Sequence, residues 1–167
     1  ALFDNHILMS SGGKDFFVAE LSPDGMIHWI RSVGGISDDY GYCVTYNEDN
    51  ELFASGSFIR AIQIPDENGN MVVIEATSPF GNAFIAKFNP NGTLKASFNL
   101  PGTSEDYCRS LIVKDNIVTA AGVFYETLHF QDSIGQPLTM ESFGEKDIFL
   151  MQFRDMCDGF TVDAGAD

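Results

Sequence analysis

Residues 16–25 read FFVAELSPDG and residues 83–92 read AFIAKFNPNG, an apolar-rich run closed in both cases by a Pro-containing, Gly-ended turn. The second copy lies 67 residues after the first, and its beginning returns 65 residues later as IFLMQF at 148–153. Working outward, SDDY at 37–40 recurs as SEDY at 104–107, LFASGSF at 52–58 as VTAAGVF at 118–124, and SSGGKDFF at 10–17 as SFGEKDIF at 142–149. Self-similarity at a fixed period marks a repeat architecture, in which each unit buries its faces against its neighbours. The chain is read as beginning late in one unit, passing through nearly two whole ones and stopping soon after starting another.

Within a unit the apolar residues alternate or cluster over short runs between Gly, Pro, Asn and Asp, which is strand patterning and not helical patterning. YCVTYN (42–47), the turn EDN and ELFASGSF (51–58) predict a hairpin, and AIQI (61–64) with MVVIEA (71–76) predicts a second one around DENGN. AFIAKF leads through NPNG into TLKASFNL; Pro90 supplies a fixed φ and Gly92 the positive φ that a tight reversal requires. A repeat of roughly 65 residues with four main strands and a small extra hairpin fits one blade of a β-propeller. The expected fold is therefore all-β, about two and a half four-stranded propeller blades, as part of a larger or assembled propeller.

The stretch FVAELSPDGMIHWIRSVGGISDDYGYCVTYNEDNELFASGSF (17–58) resembles the SBBP-type β-propeller repeat of secreted bacterial proteins. That repeat runs as a DxFVAK strand, a PxG turn, a VLWA strand, GGSGDD and a hairpin ending in VTG. The resemblance covers nearly all of residues 10–153. The second copy departs from it where Ala96 replaces Trp29 and NLPGT replaces SVGGI. After Phe153 the turn sequence is missing, and RDMC followed by DGFTVDAGAD is similar to the entry into PKD- or immunoglobulin-like modules of Bacteroidota surface proteins. Residues 1–156 are accordingly read as a partial propeller region, and 157–167 as a linker or the start of a following module.

A formal charge of -15, from 24 acidic against 9 basic residues, repels phosphate backbones, so nucleic acid is not an expected partner. No run reaches the roughly 18 apolar residues of a membrane-spanning helix, and 44% hydrophobic content suffices for a core. Two or three blades cannot close a ring that needs roughly four to eight. Three arrangements follow: a piece of a longer polypeptide, a ring of several copies, or an open array.

The acidic pairs Asp38/Asp39 and Glu105/Asp106 occupy one repeat-equivalent loop between blades. Repetition favours carboxylates that accept backbone N–H groups to hold a turn, with cation binding left open at both pairs. Two adjacent carboxylates supply too few oxygens for calcium without help. Asp66–Asn70 lacks EF-hand spacing and is read as a surface turn. Cys43, Cys108 and Cys157 show no metal-ligand spacing. In the repeat alignment Cys108 matches Gly41, and sheets about 10 Å apart separate two thiols too far for a bridge, so free buried thiols are expected at 43 and 108. Cys157 is left to a partner outside the chain. His6, His28 and His129 fall at unrelated repeat positions, and Trp29 is read as a packing residue. Asn91-Gly92-Thr93 is a formal glycosylation sequon, and Asp132-Ser133-Ile134 matches a short O-glycosylation pattern.

No catalytic, cofactor-binding or metal-ligating residue is assigned, and no cofactor is expected. The resemblance implies an extracellular or cell-surface location and a non-enzymatic scaffold or interaction module, adhesion included, whose partner is a protein or glycan at a cell surface together with further blades. The alternatives are a fragment of a propeller enzyme acting on polysaccharide or phosphate esters, and a self-assembling surface protein.

Overall fold

A computed structural model describes the backbone at residues 2–3, 6–131, 135–156 and 159–162, and side chains over 7–131 and 135–155. Asp132–Ile134 and Cys157 lie outside the described residues, as does the side chain of His6. The chain is all-β, with no helix among the described residues. Two short strands, β1 (Leu2–Phe3) and β2 (His6–Ile7), pair with each other, as do β3 (Phe16–Leu21) and β4 (Ile27–Val33). A four-stranded antiparallel sheet follows, built from β5 (Tyr40–Tyr46), β6 (Leu52–Phe58), β9 (Asn82–Phe88) and β10 (Leu94–Leu100), in that spatial order. The hairpin of β7 (Ala61–Pro65) and β8 (Met71–Glu75) is inserted between β6 and β9. The last sheet is β11 (Tyr107–Lys114), β12 (Ile117–Gln131), β13 (Pro137–Met156) and β14 (Gly159–Val162), again a meander in chain order. No sheet closes on itself among the described residues.

The two four-stranded sheets are both antiparallel meanders, and segments alike in sequence occupy matching strands in them. The second and third strands of the two four-stranded sheets are β6 and β9 in one and β12 and β13 in the other, and β3 holds the position of β9. Turn chemistry follows the residue types. Gly25 and Gly92 take φ of 88° and 78° at the matching turns, each donating its N–H back to the residue three before it. Asp115 and Asn116 both have positive φ and close β11 onto β12 in two residues, the geometry that suits the right-handed twist of a hairpin. Arg60 and Glu126, equivalent positions at the end of β6 and within β12, also take positive φ. After Arg60 the chain departs into the separate β7–β8 hairpin, whereas after Glu126 it continues as a bulged extension of the same ladder. The proposed boundary at residue 156 falls between β13 and β14, and Gly159–Val162 pairs with Phe153–Met156 as the fourth strand of the last sheet.

Packing explains why β6 and β9 are buried at every position. On one face of the middle sheet, Leu52, Ala54, Phe84, Ala86 and Phe88 pack with Val18, Trp29 and Val33 of the β3–β4 hairpin. On the other, Phe53, Ala83, Ile85 and Leu100 pack with Leu111, Val118, Phe124, Phe149 and Phe153 of the last sheet. Alternate side chains of one strand therefore serve two different cores. Close approach depends on glycine at one repeated position. A Cβ on Gly56 would lie 1.8 Å from the Tyr40 carbonyl oxygen, and one on Gly122 would lie 1.9 Å from that of Tyr107, with a Phe ring behind each.

The interface between the sheets also holds a buried charge cluster. Lys87 sits in the all-buried β9, and its Nζ is 2.7 Å from Glu51 and 2.8 Å from Asp155 of β13. Lys95 and Asn47 complete the shell of Glu51. Burial pushes the Glu51 carboxyl up, but these donors outweigh it and bring it down to about 2. Lys87→Ala is expected to leave buried Asp155 without a cation, while Glu51 keeps Lys95 and Asn47, and to cost about 3–5 kcal/mol. Urea unfolding measures this, and a loss of less than about 1 kcal/mol, the size of an exposed ion pair, would contradict the buried placement. Gly56→Ala is expected to be strongly destabilising in the same experiment, because the added methyl meets the Tyr40 backbone carbonyl and the buried Phe84 ring.

Candidate functional site

Both acidic loops lie between consecutive sheets, Asp38/Asp39 just before β5 and Glu105/Asp106 just before β11. Within each pair the two carboxylates have separate roles. Asp39 is buried and spans the loop: one oxygen accepts the Gly35 N–H at 2.7 Å, the other the Ile59 N–H at 3.2 Å. Asp106 repeats half of this arrangement, accepting the N–H of Tyr125, the residue equivalent to Ile59, at 3.3 Å, while its second oxygen, buried beside Gly102, the equivalent of Gly35, accepts no hydrogen bond. The Asn82 side chain also faces Asp106. The second carboxylate of each pair thus fastens the first strand of a unit to the end of its own second strand. This is the turn-holding role expected from the repetition.

The first carboxylate of each pair faces solvent. Asp38 accepts the Lys14 N–H at 2.9 Å and the Tyr40 hydroxyl at 3.1 Å, and its carboxyl is held below the usual range by those bonds. Burial, followed by the neighbouring Glu105 carboxylate, raises the Tyr107 phenol well above its ordinary value. The two loops border one shallow depression, lined by Asp38, Tyr40, Phe80, Glu105 and Tyr107. Phe80, at its rim, is 60% exposed.

From this depression an aromatic row continues along the edge strands β5 and β11. Tyr40 and Tyr42 are parallel at 6.3 Å, and Tyr42 meets Tyr107 at 6.1 Å. The Arg109 guanidinium lies 4.1 Å from the Tyr42 ring centre and 4.7 Å from that of Tyr107. Such a contact holds a cation flat without taking it from solvent. Arg109 and Tyr42 escaped the sequence reading. They are repeat equivalents, so a cation on one unit facing an aromatic on the next was the available signal.

Other candidate residues are placed as follows. Cys43 and Cys108 are free, Cys108 buried and Cys43 half-buried. The expected spacing of about 10 Å does not hold at this edge, since Leu111 donates its N–H to Cys43 Sγ at 3.3 Å. Burial pushes the Cys108 thiol up to about 11, which makes it a poor nucleophile. Trp29 is buried, donating from Nε1 to Glu20 at 2.7 Å and to the Pro90 carbonyl at 3.0 Å, with Gly92 against its ring face. Gly92 must be glycine for a second reason: a Cβ would lie 2.4 Å from the indole. Asn91 caps its own turn, accepting from the Thr93 N–H and hydroxyl. Asp66 likewise accepts from Asn68 and Asn70, closing the 66–70 turn. His28 pairs with Glu20, and His129 lies in β12 near Thr139. Among the described residues no group of three or more His, Cys, Asp or Glu side chains could hold a metal ion. Among the described residues no helix is long and apolar enough to cross a membrane. Comparison with protein-family models and with curated proteins found no match.

The two buried carboxylates give the loops a pH dependence. Burial is the main cause, outweighing the N–H bonds, and lifts Asp39 to about 6 and Asp106 to about 7 from an ordinary 3.8. The folded chain therefore holds these protons to higher pH than the unfolded one. Their contribution to stability is fully present below 3.8 and is lost as pH rises through about 6 and about 7. The thermal midpoint is expected to fall between about pH 5 and about pH 8, and the slope to flatten in Asp39→Asn/Asp106→Asn. A midpoint that rises over that interval, or a slope unchanged by the double substitution, would contradict this assignment.

Proposed function

We propose that these residues are β-propeller blades of the SBBP type and serve as a non-enzymatic scaffold or interaction module at a bacterial surface or in secretion. The observation that carries the reading is the register of the two four-stranded meanders. They stack face to face so that their first strands, β5 and β11, bring repeat-equivalent loops to one edge. A stack of interchangeable loops on a rigid core suits recognition, because side chains at the edge vary without disturbing the buried strands. Tyr40, Tyr42, Tyr107 and Arg109 supply the aromatic and cationic surface that protein and glycan partners use. The net charge of -15 supports solubility and disfavours anionic partners.

Self-assembly is a second reading, favoured by one observation. Ile148 and Leu150 on the outer face of β13 are 78% and 71% exposed, whereas their equivalents Ala83 and Ile85 are 0% exposed inside the stack.

Immobilised chain tested against a panel of bacterial surface polysaccharides and glycoproteins is expected to bind one of them, and Arg109→Ala/Tyr42→Ala to weaken that binding about tenfold at unchanged thermal midpoint. Turnover of chromogenic glycosides or phosphate esters would overturn the non-enzymatic reading. Sedimentation of Ile148→Glu beside the parent chain reads the second: a multimer lost in the variant supports assembly, and a monomer in both removes it.

A further inference from the structure

The β3–β4 hairpin corresponds to the third and fourth strands of a unit that elsewhere has four. In the middle and last sheets the equivalents of β3 are paired on both edges, β9 with β6 and β10, and β13 with β12 and β14. β3 pairs with β4 alone among the described strands. Beside its other edge runs an apolar groove lined by Phe16, Val18, Cys43, Val44 and Ala54. One unit further on, the matching space between β9 and β11 is filled by β6. There Phe53 enters the shared core and the Ser55 hydroxyl donates to the Cys108 carbonyl at 3.2 Å. The consequence shows on the first strand of each unit: Leu111 of β11 is 5% exposed, and its equivalent Val44 of β5 is 59% exposed.

We propose that the β3 edge and this groove are a docking site for one inner hairpin of the same repeat type, equivalent to β5–β6 and β11–β12. Its second strand adds antiparallel to β3 and lays its small and apolar side chains over Val44, as β6 does over Leu111. An open strand edge is a template for pairing, and the backbone supplies the affinity while the groove supplies the selection. A second copy of this chain is a poor donor, because both of its inner hairpins are already committed within their own sheets. The occupant is therefore a hairpin of a further unit, lying outside these residues. The pattern it must carry is that of LFASGSF and VTAAGVF: alternating small and apolar side chains with glycine near the end, where the neighbouring carbonyl comes within contact.

The inference rests on the blade reading above, but it is measured at β3 and Val44 while that reading is measured at Arg109, so either can fail alone. The probe is a synthetic peptide of Tyr107–Phe124, closed by its own Asp115–Asn116 turn, added to the whole chain. Saturable binding is expected, with amide exchange in Phe16–Leu21 slowed about tenfold or more. Val44→Glu, at an exposed position, is expected to weaken binding about tenfold by placing a charge in the groove, and Val73→Glu on β8 to leave it unchanged. Three results would overturn the proposal: no slowing in β3 at saturating peptide, slowing that survives Val44→Glu, or a dimer of the chain alone that protects β3.

Discussion

A sheet that carries apolar side chains on both faces cannot stand in water, and the middle sheet is of this kind. Phe84, Ala86 and Phe88 point one way and Ala83 and Ile85 the other, all fully buried. Covering both faces requires a partner on each side, which the β3–β4 hairpin and the last sheet provide. Everything else follows from that requirement. The sheets must approach closely, so Gly56 and Gly122 recur where a carbonyl leaves no room for a methyl. Lys87 crosses the same interface, so its charge is tolerated only because Glu51 and Asp155 meet it there. The first strand of each unit must then be tied to the second at the ends of the stack, and Asp39 and Asp106 do this with backbone N–H groups as partners.

Much of this was legible in the residues. The spacing of FFVAELSPDG and AFIAKFNPNG gives the unit, and Pro-x-Gly at strand ends gives the turns, because φ restriction and positive φ are local properties. The acidic pairs were readable as turn elements because they recur. What could not be read was anything that depends on the angle between sheets. Which carboxylate of each pair is buried depends on where Ile59 and Tyr125 end. Lys87 looks like the solvent-facing member of an alternating strand, and only the neighbouring sheet makes that face interior. The cysteine spacing went wrong for the same reason, since β5 and β11 approach closely enough for the Leu111 N–H to reach Cys43 Sγ. Arg109 against Tyr42 is also a product of that approach.

The same geometry separates the parts of the molecule by role. The interior of the stack is invariant in its demands: bulky and small residues alternate, glycine sits at the pinch and one charge cluster is satisfied. The edge of β5 and β11 carries no such demand, and there the repeat equivalents differ, Tyr42 in one unit and Arg109 in the next. Variation at a surface held by a fixed core is the arrangement that supports recognition. At the two ends of the stack the demand for cover is still present. Val44 beside β3, and Ile148 with Leu150 on β13, are interior-type positions on a surface.

The central claim is that the middle sheet is an interior layer, and amide hydrogen exchange measured strand by strand tests it most directly. The amides of β6 and β9, paired on both edges and covered on both faces, are predicted to exchange last, with β3 and β5 well ahead of them. Exchange of β6 and β9 as fast as that of β3 and β5 would contradict the account.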